Sequence, residues 1–101
     1  MYVILWRFRP LASRESEFVK AYGPAGEWAS LFSRGDGYLG TDLLRHSEDP
    51  TEYLTVDRWV SRAAHERFLN RFGDEYRQLD RRLEGIAGEE TPLGTFDALP
   101  A

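Results

Sequence analysis

The segment EYLTVDRWVS, residues 52–61, limits the possible folds more than any other part of the chain. It has the composition of a β-strand, whose successive side chains point to opposite faces of a sheet. One face would carry Glu52, Leu54, Val56, Arg58 and Val60. The other would carry Tyr53, Thr55, Asp57 and Trp59. Each face mixes bulky apolar groups with polar ones, so this strand requires cover on both sides.

The chain divides into four strands and two helices. The predicted strands are residues 2–9, 38–46, 52–61 and 88–99, and the predicted helices run over about 13–33 and 61–83. Ser61 is a favourable N-cap for the second helix. Pro24 interrupts the first helix, so we expect a kink or two short helices there. Pro92 cannot donate a ladder hydrogen bond, which predicts an edge strand or a bulge.

Both helices carry an apolar stripe with the spacing of an amphipathic helix. In the first helix the stripe is Phe18, Tyr22, Ala25, Ala29 and Phe32. In the second it is His65, Phe68, Leu69, Phe72, Tyr76, Leu79 and Leu83, with Gly73 weakening the helix midway. The order β-α-β-β-α-β predicts an α+β, ferredoxin-like fold, in which both helices cover one face of a four-stranded antiparallel sheet.

The other face of this sheet has no cover within the chain. Its 101 residues are expected to form a single domain, residues 1–101, with no segment left over. Large exposed apolar surfaces mark interfaces. We therefore expect a homodimer in which a second copy covers the open face, sheet against sheet.

Composition argues against several other partners. The net charge is −4, and the arginines are scattered among acidic residues, so no nucleic acid partner is expected. No apolar run approaches a membrane span, and the N-terminal stretch lacks the features of a signal peptide. There are no cysteines. We expect a cytoplasmic protein with no membrane partner.

No recognised catalytic motif is present, and no cofactor or metal is expected. The chain lacks a glycine-rich phosphate loop, and His46 and His65 do not have the spacing of metal ligands. His65 is the candidate catalytic base, since imidazole titrates near neutral pH; the alternative is an inert residue at a helix start. Trp59, Tyr76 and Trp6 are candidate substrate-binding residues, and each could instead serve the core.

Arg7 and Asp57 lie on strands that this topology places side by side. If the register aligns them, they form a buried ion pair, because a lone buried charge is costly. Such a pair would specify the dimer or orient a ligand.

Four stretches carry a family resemblance: AYGPAGEWASLF, GYLGTDLLRH, YLTVDRWVS and LGTF. Through these stretches the chain resembles the antibiotic-biosynthesis monooxygenase family, and the resemblance extends over about residues 2–97. The resemblance implies a dimeric α/β barrel with a pocket between sheet and helices in each subunit. Some members oxidise phenolic or anthrone polyketides to quinones with dioxygen, without metal or flavin. Trp59 matches the family's pocket tryptophan at the end of the third strand.

The haem-degrading branch of this fold is disfavoured. It pairs that tryptophan with an asparagine on the first strand and a histidine well along the second helix. The first strand, YVILWRFR, has no asparagine, and the helix stretch GDEYRQLD has no histidine.

Three functions remain open. The first is a cofactor-independent monooxygenase acting on a small aromatic or polyketide-like substrate. The second is a non-catalytic dimeric module that binds a small hydrophobic ligand. The third is isomerase or decarboxylase chemistry on the same scaffold. A closed cavity against Trp59 with one titratable group within reach favours catalysis, whereas a cavity packed shut by Phe68, Phe72 and Trp6 favours a structural role.

Overall fold

A computed structural model describes residues 1–100 of the chain. The strands are β1 (Tyr2–Arg9), β2 (Tyr38–Arg45), β3 (Tyr53–Trp59) and β4 (Glu89–Asp97). The helices are α1 (Glu15–Tyr22), α2 (Glu27–Phe32) and α3 (Arg62–Ala87). A short 3-10 turn, Ala12–Arg14, leads into α1.

The strands form one antiparallel sheet in the order β2-β3-β1-β4. This arrangement confirms the predicted α+β, ferredoxin-like fold. β4 is an edge strand, and its pairing with β1 shifts between Leu5 and Trp6, so that Leu93 bulges out of register. Pro92, which opposes Trp6, therefore lies both on an edge strand and next to a bulge.

The predicted first helix is two helices, α1 and α2, separated at Gly23–Gly26. Pro24 has no N–H and cannot continue the hydrogen-bond ladder of α1, and the backbone turns tightly after this helix. Ala25 lies in this break and is exposed, so the prediction that it joins the apolar stripe is wrong. Because the break resets the phase of the helix, Trp28 instead becomes a buried residue of α2.

Helix α3 begins as predicted and extends four residues beyond Leu83. The Ser61 hydroxyl accepts a hydrogen bond from the Ala64 N–H at 3.1 Å, which confirms the N-cap. Phe72, next to Gly73, has non-helical backbone angles (φ −114°, ψ 20°), so the helix is kinked where the glycine was expected to weaken it. Leu69 is 37% exposed and does not join the core, contrary to the predicted stripe.

Gly88 ends α3 in a left-handed conformation with φ 66°. A Cβ at this position would lie 2.3 Å from the Arg9 carbonyl oxygen, which no side-chain movement can relieve. We expect Gly88→Ala to lower the free energy of unfolding by about 2 kcal/mol or more, since strain and steric overlap combine there.

Gly85, three residues earlier and inside α3, is a matched control for this change. An added Cβ there meets nothing within 4 Å. Gly85→Ala is expected to stabilise the protein by up to about 1 kcal/mol through helix propensity. Urea unfolding of both variants measures the difference. Equal effects of the two substitutions would show that the close approach of Gly88 to Arg9 does not matter.

The two faces of the sheet have different surroundings. Along β3, Tyr53, Thr55, Asp57 and Trp59 are all buried beneath the helices. The opposite face is partly exposed and carries Val3, Leu5, Arg7, Leu54, Val56 and Arg58. The predicted division of β1 and β3 into two sets of side chains is confirmed.

The predicted pair between Arg7 and Asp57 is wrong. The register places Arg7 opposite Leu54 and Asp57 opposite Ile4. Since the sets alternate along each strand, Arg7 lies on the open face and Asp57 on the helix face. Asp57 is therefore buried without that arginine.

Candidate active site

A cavity of about 130 Å³ lies between the helix face of the sheet and the helices. An apolar cavity of about 150 Å³ is large enough to hold one benzene ring. The walls consist mainly of six aromatic side chains from β1 and from all three helices: Trp6, Phe8, Tyr22, Trp28, Phe32 and Tyr76. The dimensions and the walls suit a flat aromatic group.

The remaining lining residues are polar, and none is basic. Thr41 comes from β2, Thr55 and Asp57 from β3, Asp80 from α3 and Glu90 from β4. Asp80 and Glu90 are exposed, so they mark the mouth of the cavity. Asp57 is only 9% exposed and lies at its floor on the sheet.

A chain of hydrogen bonds holds Asp57 in place. The Thr41 hydroxyl donates to Asp57 Oδ1 at 2.6 Å, and the Tyr38 hydroxyl lies 2.5 Å from Thr41 Oγ1. Thr41 has only one hydroxyl proton, which it gives to Asp57, so Tyr38 must be the donor to Thr41. The second carboxylate oxygen of Asp57 has no hydrogen-bond partner within residues 1–100. That oxygen is free to accept a proton from a bound molecule.

The surroundings of Asp57 favour its protonated form. Burial raises its pKa from 3.8 to about 6, and the hydrogen bond from Thr41 opposes this rise only in part. Asp57 forms no salt bridge within the described chain. A carboxylate with a pKa near 6 is mostly ionised at neutral pH yet is a stronger base than an ordinary aspartate.

Two tyrosines of the cavity are held in their neutral form. Burial raises the pKa of Tyr22 to about 12, and the nearby Trp28 indole opposes this rise without reaching hydrogen-bond geometry. Burial also raises the pKa of Tyr76 to about 12, and the charges of Asp80, Asp57 and Glu90 add to it. Neither phenol is therefore a base at neutral pH.

The indole N–H of Trp28 is an unpaired buried donor. Trp28 is 7% exposed, and its Nε1 has no hydrogen-bond partner within residues 1–100. Leaving a buried donor unpaired costs about 1–3 kcal/mol. Its Nε1 has almost no surface open to the cavity, and the Tyr22 hydroxyl is a polar group beside it.

Two of the sequence-predicted site residues do not line the cavity. Trp59 is fully buried, and its ring meets Phe32 edge-on at 6.0 Å, so that Phe32 separates it from the cavity. His65 packs against Trp59 and Tyr2, with ring centroids 5.3 and 5.9 Å away. Burial lowers the pKa of His65. The expectation that Trp59 borders the cavity therefore differs from the structure, since the end of β3 lies one aromatic layer behind it.

The other two predicted residues, Trp6 and Tyr76, do line the cavity. Two of the acidic residues of the site, Asp80 and Glu90, are not identified from the sequence. Asp80 follows Tyr76 by four positions in a helix, so the two share a face, and this spacing was the available signal. The sequence predicts the correct set of β3 side chains for Asp57, but the pair with Arg7 that it makes conditional on the register does not form.

The structure thus defines a small α+β protein with an aromatic cavity between the sheet and the helices. The sequence places this protein in a family. The sequence profile of antibiotic biosynthesis monooxygenases matches residues 1–82. The chain belongs to this family. No match is found among curated protein sequences.

Solved structures share the fold at low sequence identity. One of them is a single-residue variant of SnoaB, a cofactor-independent oxygenase from Streptomyces nogalater. It superposes on this chain with a TM-score of 0.71 at 22% sequence identity, and the match covers 99% of this chain and 94% of SnoaB. A protein from Bordetella bronchiseptica, provisionally described as an antibiotic biosynthesis monooxygenase, gives 0.73 at 19% identity, over 98% and 97%. Within residues 1–100, no helix has the length and apolar character to cross a membrane.

Proposed function

We propose that the protein is a cofactor-independent monooxygenase that oxidises a small aromatic molecule held in the cavity. The observation that carries this proposal is Asp57, a buried carboxylate with one unpartnered oxygen and no basic neighbour among the residues that line an aromatic cavity. Family membership and the likeness to SnoaB support the reaction class. Asp57, rather than His65, is the proposed base because it lines the cavity and His65 does not.

The first step is removal of a proton from the bound molecule. An acidic C–H, such as a ring CH₂ beside a carbonyl group, or a phenolic O–H gives its proton to the free oxygen of Asp57. The electron pair of the broken bond stays on the substrate. Thr41 and Tyr38 hold the carboxylate in position for this transfer, which a placed base accelerates by about 10²–10⁴-fold.

For a ring CH₂ substrate, dioxygen supplies the oxidant. The substrate anion passes electrons to dioxygen and forms a C–O bond, which gives a hydroperoxide after one proton is taken up. Loss of the second C–H proton then breaks the O–O bond and releases water. The CH₂ carbon is oxidised by four electrons to a carbonyl carbon, and the two oxygen atoms end in the carbonyl group and in water.

Several cavity residues would position the substrate in this proposal. Trp6 and Tyr76 offer faces and edges for an aromatic ring. Trp28 adds a further aromatic wall to the cavity. Trp59 acts indirectly, as a positioning residue that supports Phe32.

We also propose that the protein works as a homodimer built through the open face of the sheet. Leu5 and Val56 face each other across β1 and β3 on that side, and Phe96 of β4 is 50% exposed beside Val3. An apolar sheet face of this kind is stabilised by packing against a second sheet about 10 Å away. The cavity lies on the other side of the sheet, so each subunit would keep its own.

Dioxygen uptake by metal-free protein over a set of phenols, anthrones and cyclic 1,3-diketones tests the proposal. We expect uptake with at least one compound and carbonyl formation matched to the dioxygen consumed. Binding without uptake would instead indicate the ligand-binding module. Exchange of a substrate C–H for deuterium without uptake would indicate proton-transfer chemistry of the isomerase type. Either result would overturn the oxygenase proposal.

A further inference from the structure

The cavity carries negative charge that nothing in the described chain neutralises. Asp57, Asp80 and Glu90 line it, and no lysine, arginine or histidine does. None of the three takes part in a salt bridge within residues 1–100, although six arginines pair with acids elsewhere: Arg9, Arg14, Arg45, Arg58, Arg77 and Arg82. The three carboxylates therefore have no cationic partner in the walls of the cavity.

The spacing of these acids does not suit a metal ion. Within the described residues, no three histidine, cysteine or acidic side chains lie close enough together to hold one. Asp57 lies at the floor, whereas Asp80 and Glu90 stand at the mouth on α3 and β4. An extended organic molecule can reach both levels.

Asp80 and Glu90 line the same cavity at its mouth. Burial raises the pKa of Glu90, and the charges of Asp80 and Glu84 raise it further. Tyr76 lines the cavity with them, and the charges of Asp80, Asp57 and Glu90 add to the rise of its pKa caused by burial. A cation between Asp80 and Glu90 would relieve their repulsion.

The walls of the cavity also favour an aromatic cation. Faces of tryptophan and tyrosine attract organic cations, and Trp6, Trp28 and Tyr76 supply such rings.

The proposed chemistry has the same requirement. Deprotonation leaves a negative substrate in a cavity whose mouth carries two further carboxylates, and like charges repel. A positive group on the substrate offsets this repulsion. An anionic substrate would suffer it even before the reaction.

We propose that the cavity selects an aromatic molecule that carries a protonated amine, with its oxygen-bearing ring between the aromatic walls and its ammonium group between Asp80 and Glu90. This inference rests on the proposed function only in treating the bound molecule as a substrate. The preference of the cavity for a positive charge concerns binding alone and can be measured without turnover.

Three single-ring probes of nearly equal size separate the effect of charge from that of shape. Tyramine carries an ammonium group, tyrosol a neutral hydroxyl and 4-hydroxyphenylacetate a carboxylate on the same phenol. Under anaerobic conditions, calorimetry should give an affinity for tyramine at least about tenfold above that for tyrosol, with 4-hydroxyphenylacetate the weakest. Added salt should reduce the preference, because the mouth is open to solvent.

Two variants assign the preference to the mouth. Glu90→Gln and Asp80→Asn should each lower the affinity for tyramine by about three- to tenfold and leave that for tyrosol unchanged. Glu48→Gln, in the turn between β2 and β3, removes the same charge away from the cavity and should change neither. Equal binding of the three probes, failure of tyramine to bind, or an equal effect of Glu48→Gln would overturn the inference.

The two proposals fail in different ways. Preferred binding of tyramine with no oxidation of any compound would keep the charge inference and reject the oxygenase. Oxidation of neutral phenols by a protein that binds tyramine and tyrosol equally would keep the oxygenase and reject the charge inference.

Discussion

Replacing Asp57 with asparagine is expected to raise the free energy of unfolding at pH 7.5 by on the order of 3 kcal/mol. Burial raises the pKa of Asp57 from 3.8 to about 6, and each tenfold change in proton affinity corresponds to about 1.4 kcal/mol. The ionised carboxylate is therefore disfavoured in the folded protein relative to the unfolded chain. Asparagine keeps the shape and the acceptor for the Thr41 hydroxyl, and it carries no charge.

The gain should depend on pH in a defined direction. At pH 4 the folded protein keeps its proton and the unfolded chain, with a pKa of 3.8, has released only part of its own, so the wild type and the variant should differ little. Between about pH 4 and 6 the unfolded chain releases its proton first, so the wild type loses stability as pH rises, and above 6 the full difference remains. Urea unfolding at equal protein concentration at pH 4 and 7.5 measures this. A variant less stable than the wild type at pH 7.5 would mean that the folded protein stabilises the carboxylate.

Replacing Leu5 with glutamate is expected to convert the proposed dimer into a folded monomer. Leu5 lies on the open face opposite Val56, at the centre of the proposed interface, and is only partly buried by its own chain. A single subunit can therefore accommodate the charge in water. Burying it between two sheets without a partner costs several kcal/mol, which weakens association by about a thousandfold or more.

Sedimentation velocity at micromolar concentration measures this change. Val19→Glu on α1 is the matched control, since Val19 is also an exposed apolar residue but lies away from the open face. It should leave the oligomeric state unchanged. A wild-type protein that sediments as a monomer, or a Leu5→Glu variant that remains a dimer, would contradict the proposed interface.

The alternation of side chains made most of the fold predictable. Leu54 and Val56 fall on one side of β3, and Thr55 and Asp57 on the other, wherever the strand is placed. The pattern does not specify how neighbouring strands align, because alignment depends on turn geometry and packing across the whole sheet. The error over Arg7 arose at this step.

The site was less predictable than the fold because it is assembled from distant segments. Asp57 and Glu90 come from two strands that do not pair with each other, and their common exposure to the cavity depends on how α3 crosses the sheet. Trp59 was located by resemblance to the family, and its ring lies one aromatic layer behind the cavity here. The position of a residue near the end of a strand does not specify which neighbour will separate it from a cavity.

The pH dependence of kcat/KM for dioxygen uptake, compared between the wild type and Asp57→Asn, tests the catalytic proposal most directly. With a CH₂ substrate that stays neutral over this range, wild-type activity should rise with pH through about 6 as Asp57 loses its proton. The variant should lose about a hundredfold or more of that activity, and with it the rise near pH 6. A variant that keeps the wild-type rate and pH profile, with activity lost instead in His65→Ala, would contradict the assignment of Asp57 as the base.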